Sequence, residues 1–322
     1  MHITSILESL LQNDIISKQQ SEHIAGYEEN KNFSIHWELR TLLLIGISLF
    51  TSGVGTVIYQ NIDTIGHQVV IAIISCLVIA CFYFVLKNRQ RFSWEKVIPG
   101  NNYLEHALLL GCLLFLILEG YLQFQYNLFG TRYGLAIFIP TFIFFFLAYR
   151  FDHRGVLSMA ITGLASWLGL TISPIAILEK NDFSSPGLIL TGVVLGTLLW
   201  MTGWASGAKN LKQHFAFSYI LFGGNLAAVA GLAGAFSHDI KAFYLISTAI
   251  TCGFLIYYAQ QSQSLLFLLM GVVYGYILFS YILFAYLPDS VLAAFSIYYF
   301  MFSSVGVIFF LLNVKKIIRR KK

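Results

Sequence analysis

Long apolar runs, more than any motif, decide what this chain can fold into. Stretches of about 20 residues recur at 39–60, 66–86, 104–126, 131–149, 155–178, 186–207, 214–236, 241–259, 264–287 and 290–313. A helix of that length spans a bilayer core of about 30 Å. In hydrocarbon each backbone amide must be satisfied within its own segment or across a closed barrel. Barrel strands alternate in polarity over about ten residues, and these runs do not alternate. The chain is therefore expected to be an all-α membrane protein with about ten transmembrane helices. Its charge content agrees: 57% of residues are hydrophobic and 11% charged, against about 25% charged in soluble domains.

Lys and Arg set the expected sidedness. With the N-terminus inside, the inner loops collect Lys87, Arg89, Arg91, Lys96, Arg150, Arg154, Lys209 and Lys212. The two ends add Lys18, Lys31, Arg40, Lys315, Lys316, Arg319, Arg320, Lys321 and Lys322. That is 17 of the 20 basic residues, leaving Arg132, Lys180 and Lys241 outside. Miscounting a span would reverse every later loop, so the asymmetry predicts both termini in the cytoplasm and a multi-pass inner membrane location. The loop at Gln260–Ser264 carries no charge and does not contribute.

Three parts follow from this pattern: a cytoplasmic helical hairpin at 1–38, a transmembrane bundle at 39–313 and a basic cytoplasmic tail at 314–322. In the hairpin, Ile3, Ile6, Leu7, Leu10 and Leu11 share a helical face, and Asn13-Asp14 interrupt it. Ser17 followed by Gln20 reads as a capping box opening a second helix. A helix-turn-helix reader of DNA is set aside, because Glu8, Asp14, Glu22, Glu28 and Glu29 outnumber Lys18 and Lys31. No nucleic acid partner is expected. The partner the composition requires is the lipid bilayer, and the tail, Lys315, Lys316, Arg319, Arg320, Lys321 and Lys322, could hold anionic lipid at about 1 kcal/mol per charge. An ordinary positive-inside stop signal explains the same residues.

Several short stretches resemble one bacterial membrane family. The hairpin Leu10-Leu11-Gln12-Asn13-Asp14-Ile15-Ile16-Ser17-Lys18-Gln19-Gln20 is similar to a leucine-rich helix, short turn and Ile-Ser-x-x-Gln opening. Tyr59-Gln60-Asn61-Ile62-Asp63-Thr64-Ile65 resembles an Asn-Trp-Asp turn, with Ile62 where Trp is usual. Tyr126-Asn127-Leu128-Phe129-Gly130 resembles a Tyr-His-Leu-Ser-Gly stretch, with Asn127 in place of His. The family is catalogued as domain of unknown function twenty-one fifty-seven. The resemblance covers roughly residues 1–178 and implies an integral bacterial membrane protein of unassigned activity.

Glu119 is the residue least at home in its surroundings. It follows the apolar or small residues Ala107 to Leu118 and lies a few Å outside the middle of the third span. A carboxylate at that depth costs at least ~2.5 kcal/mol, so it must face protein or water. Gln123, Tyr126 and Asn127 follow at the i+4, i+7 and i+8 positions, completing a polar stripe. Three readings stand: a solute- or proton-binding site in an outward cavity, an interhelical hydrogen-bond clamp, or a short helix that lets Glu119 reach the interface. Asn225, after Gly223 and Gly224, is the other polar residue deep in a span. An interhelical bond suits it better than a ligand contact. Arg150, Asp152, His153 and Arg154 read as a mutual charge cluster in one inner loop.

Small residues predict close packing. Gly192, Gly196, Gly203 and Gly207 share a face of the sixth span, Gly224, Ala227, Gly231 and Gly234 a face of the seventh, and Gly271 and Gly275 a face of the ninth. Cys76, Cys81, Cys112 and Cys252 all fall in apolar runs without metal-ligand spacing. No Walker loop, HExxH or GxSxG motif is present, so no enzyme, cofactor or metal is expected. Two functions remain. One is a transporter-like bundle whose halves, 39–178 and 186–313, would be inverted relative to each other. The other is a non-transporting scaffold or sensor that works through the N-terminal hairpin.

Overall fold

A computed structural model describes residues 17–21, 36–97, 102–130, 133–173, 182–237, 241–285 and 287–319. Apart from a single helical turn at 18–21 and a 3-10 turn at Gln213–Phe215, their regular structure is ten α-helices, which we number α1 (His36–Ile65), α2 (His67–Lys87), α3 (Asn102–Tyr126), α4 (Tyr133–Phe151), α5 (Arg154–Ile172), α6 (Pro186–Ala208), α7 (Ala216–Ser237), α8 (Lys241–Ser262), α9 (Leu265–Ala285) and α10 (Asp289–Arg319). No strand occurs among these residues. Eight of the helices, α2 to α9, are long and apolar enough to cross a membrane, and α1 and α10 contain the apolar stretches Thr41–Val57 and Phe295–Phe310. The protein is an all-α, multi-pass membrane protein.

Some boundaries differ from the hydropathy reading. The fifth span stops at Ile172, where the Ser173 N–H closes on the Gly169 carbonyl, instead of running to 178. The last helix continues through 314–319, so most of the basic tail prolongs α10. The side chains of Lys315, Lys316 and Arg319, and all of Arg320, Lys321 and Lys322, lie outside the described residues, as do the hairpin residues Ile3 to Leu11.

The chain divides into two units, Met1–Thr56 and Val57–Lys322. In the first, Ser17 and Gln20 form the expected capping box. Gln20 N–H donates to Ser17 Oγ (3.2 Å), and Ser17 N–H donates to Gln20 Oε1 (2.9 Å). Further along, the hydroxyls of Ser48, Thr51, Ser52 and Thr56 each donate to the carbonyl four residues back, which satisfies them without a partner helix.

In the second unit the core is built on α7, which is largely buried between α6 and α8. The glycine faces explain this. A Cβ on Gly196 would sit 2.8 Å from both the Ala227 Cα and the Gly223 carbonyl oxygen, and one on Gly223 would sit 2.6 Å from the Trp200 nitrogen. The α6 and α7 backbones therefore touch directly. Gly224, Gly231 and Gly234 face α8 through Leu255, Thr248 and Tyr244. Ala227 instead meets α6, its backbone lying against Gly196. Gly271 of α9 packs on Cys252 and Ile256 of α8. A second core joins α2 to α7 around Leu108, Phe144, Leu157, Leu199 and Phe215.

Helix ends meet in two groups. The α2–α3, α4–α5 and α6–α7 connections touch one another, through Val97, Asp152 and Lys212. At the opposite ends, His67 reaches Tyr121, Ser173 reaches Ser185, and Tyr281 reaches the Ala235 carbonyl. This alternation is the one the span count requires, and the first group is the Lys- and Arg-rich one.

Candidate functional site

Glu119 lies towards the α3 C-terminus, buried to 7% exposure. Its Oε1 is shielded and has no hydrogen-bond partner among the described residues. It lines a groove of ≈ 430 Å³ with Gly120, Gln123, Asn127, Ala136 and Ile137, so the walls are α3 and α4. A second groove of ≈ 480 Å³ continues along α4 and α5 past Leu113, Pro140, Phe144 and Met159, and shares Leu116, Ala136 and Ile137 with the first. The size suits a small molecule, since ligand pockets run from about 300 to 1,000 Å³.

Three of the four stripe residues thus come together. Gln123, however, is already engaged: its Oε1 accepts from Phe129 N–H (2.9 Å) and its Nε2 donates to the Gly130 carbonyl (3.0 Å). It folds the turn that ends α3. Asn127 is held in the left-handed region (φ 47°), where Asn is among the better-tolerated residues, and its N–H closes on the Gln123 carbonyl. Tyr126 does not line the groove. Its hydroxyl accepts from Gln68 of α2 (3.4 Å), beside a network in which His67 meets Tyr121 (2.6 Å) and Gln125 (3.3 Å). Of the stripe, Glu119 is the member with a buried side-chain oxygen that has no partner among the described residues.

Asn225 accepts a hydrogen bond from the Tyr274 hydroxyl of α9, an interhelical link. Cys112 and Cys252 are buried, and the four cysteines are unpaired. No cluster of three or more His, Cys, Asp or Glu able to hold a metal occurs among the described residues.

The inner loop at 150–154 needs correction. Its charges do not neutralise one another. Asp152, in the left-handed region, turns inwards and accepts from Lys212 Nζ (2.9 Å) and from His214 on one oxygen, and from Val97 N–H (2.6 Å) on the other. The side chains of Lys212 and Asp152 are 1% and 3% exposed. The Lys212 ammonium also sits 5.2 Å from the Phe92 ring centre. Arg150 instead donates to the Gln90 carbonyl (2.9 Å), and His153 caps α5 by accepting from Val156 N–H. An Asp between arginines gave the sequence signal of pairing. Its buried partners sit 60 and 62 positions away, beyond the reach of spacing arguments.

Neither the curated proteins nor the solved structures contain a match to the chain. A family model described as "Predicted membrane protein (DUF2157)" matches residues 8–157. That range is narrower than the resemblance drawn from residues 1–178, yet it contains all three stretches that carried it. Over residues 8–157, therefore, the chain is similar to the DUF2157 family of predicted membrane proteins.

Proposed function

We propose that this protein is a transporter-like bundle that handles a small solute or a proton at Glu119, through the groove between α3 and α4. The observation that carries the reading is a carboxyl buried to 7% exposure, with an unpartnered oxygen, on the wall of an open groove. A structural clamp would have spent that oxygen on a neighbouring helix, as Asn225 and Tyr274 do. An interfacial acid would be exposed. Retaining an unsatisfied acid inside a membrane protein costs several kcal/mol unless something visits it. By the Lys and Arg asymmetry the groove's polar end faces outwards, and both termini lie in the cytoplasm of a cell with this protein in its inner membrane.

Thiol accessibility tests the reading. In a variant whose four native cysteines are replaced, cysteines at 120, 124 and 127 are treated in intact cells with a membrane-impermeant maleimide. Gly120 suits this because an added Cβ meets nothing within 4 Å. All three should react, Gly120→Cys slowest. Reaction at 127 alone would mean that lipid fills the groove and would overturn the reading.

A further inference from the structure

The groove's chemistry goes further than its existence, and the inference rests on the reading of Glu119 just given. We propose that its occupant is a single-chain amphiphile with an ammonium head and no anionic group.

Consider first what the polar end offers. Glu119 brings a carboxyl, an acceptor when ionised. A second acceptor comes from the backbone. Pro140 lies inside α4 and has no N–H, so the Ala136 carbonyl four residues earlier loses its helical donor. Ala136 lines both grooves. Asn127 adds an amide at the mouth. Among the described residues, no Lys, Arg or His lines either groove. Two acceptors with no cation among the described lining residues favour a donor-rich, positively charged head, and a primary ammonium carries three donors in a compact volume. A phosphate or carboxylate would meet Glu119 with like charge and is disfavoured.

The other end selects the tail. From Ala136 to Phe144 the α4 wall runs about 12 Å, lined by Leu113, Pro140, Phe144 and Met159. The two grooves share three residues, so one molecule can occupy both. The hydroxyls of Ser158 and Thr162 on α5 donate to carbonyls of their own helix, at Arg154 and Ser158, and the hydroxyls of Thr141 and Ser166 are the other side-chain donors on an otherwise apolar wall. An apolar chain of moderate length fits it.

The test uses the full chain in phosphatidylcholine nanodiscs with radiolabelled decylamine. Saturable binding is expected, at least tenfold weaker in Glu119→Gln, and not displaced by decanol. Butylamine, with the head but not the tail, should compete only at far higher concentration. Leu113→Trp, which fills the apolar arm, should weaken decylamine tenfold and leave butylamine unchanged, so the conclusion does not hang on one variant. Equal displacement by decanol, or no saturable binding, overturns the ammonium amphiphile while Gly120→Cys labelling still upholds the groove. Loss of decylamine binding on moving to phosphatidylethanolamine discs would make a membrane lipid the occupant and also overturn the proposal. An inert Gly120→Cys removes the underlying reading itself.

Discussion

Replacing Gly196 by Ala should loosen the centre of the bundle, although it adds a single methyl group. The new Cβ would stand 2.8 Å from the Ala227 Cα and the Gly223 oxygen, where ordinary contact begins near 3.4 Å. Both opposing atoms are backbone, so no side-chain rotation relieves the overlap. Helices α6 and α7 must part by roughly half an ångström or more, and overpacking of this kind costs about 1–3 kcal/mol. Alanine recovers up to about 1 kcal/mol through helix propensity. A net loss of about 1–2 kcal/mol corresponds to a drop in melting temperature on the order of 4 °C. Gly253→Ala on α8 is the matched control, since its Cβ meets nothing within 4 Å, and it should leave the melting point unchanged or slightly raised. Thermal unfolding in detergent, followed as loss of the monodisperse peak on size-exclusion chromatography, measures both. Equal melting of the two variants would refute direct backbone contact between α6 and α7.

Asp152→Asn should be severely destabilising, by about 3–5 kcal/mol, because it strands the Lys212 ammonium in a buried site. Adding Lys212→Met should recover much of that loss in the same melting assay, and a double variant no better than Asp152→Asn would contradict the pairing. Gln123→Ala removes both hydrogen bonds that close the α3–α4 turn, worth about 1–3 kcal/mol together, and should raise protease cleavage at 128–130. Asn127→Gly should be tolerated where Asn127→Val is not, since φ is 47°; equal stabilities would argue against the left-handed turn. Cysteines at 90 and 210 should label from one side of the membrane and those at 130 and 185 from the other, the first pair in the cytoplasm.

The helices were legible because hydrocarbon leaves a polypeptide few options. Once the runs at 66–86 or 241–259 are in lipid, only helices satisfy their amides, and the structure places α2 and α8 within a few residues of those bounds. Packing faces were half legible. Gly192, Gly196, Gly203 and Gly207 all face α7, as a small-residue face suggests, but which helix would meet them could not be read. The stripe on α3 was read as one site, since Glu119, Gln123, Tyr126 and Asn127 share a helical face. The structure divides it, because chain reversal at 127–130 consumes Gln123, and Tyr126 turns to α2. Local periodicity gives direction on a helix, not the competition for each polar atom. Lys212 was seen only as one more inward-loop charge. Its burial depends on Phe92 and Asp152 arriving from two other connections to join its own neighbour Phe215.

That last convergence has a consequence for biosynthesis. The segment matched by the family model ends at residue 157, yet among the described residues the ion-pair partners of Asp152 within it are Lys212 and His214. During insertion the α4–α5 hairpin must wait, its acid hydrated, until some sixty further residues have left the ribosome. A truncation after the matched segment would strand a bare carboxylate on an unfinished surface, whereas co-expressing the missing C-terminal fragment should restore it by complementation.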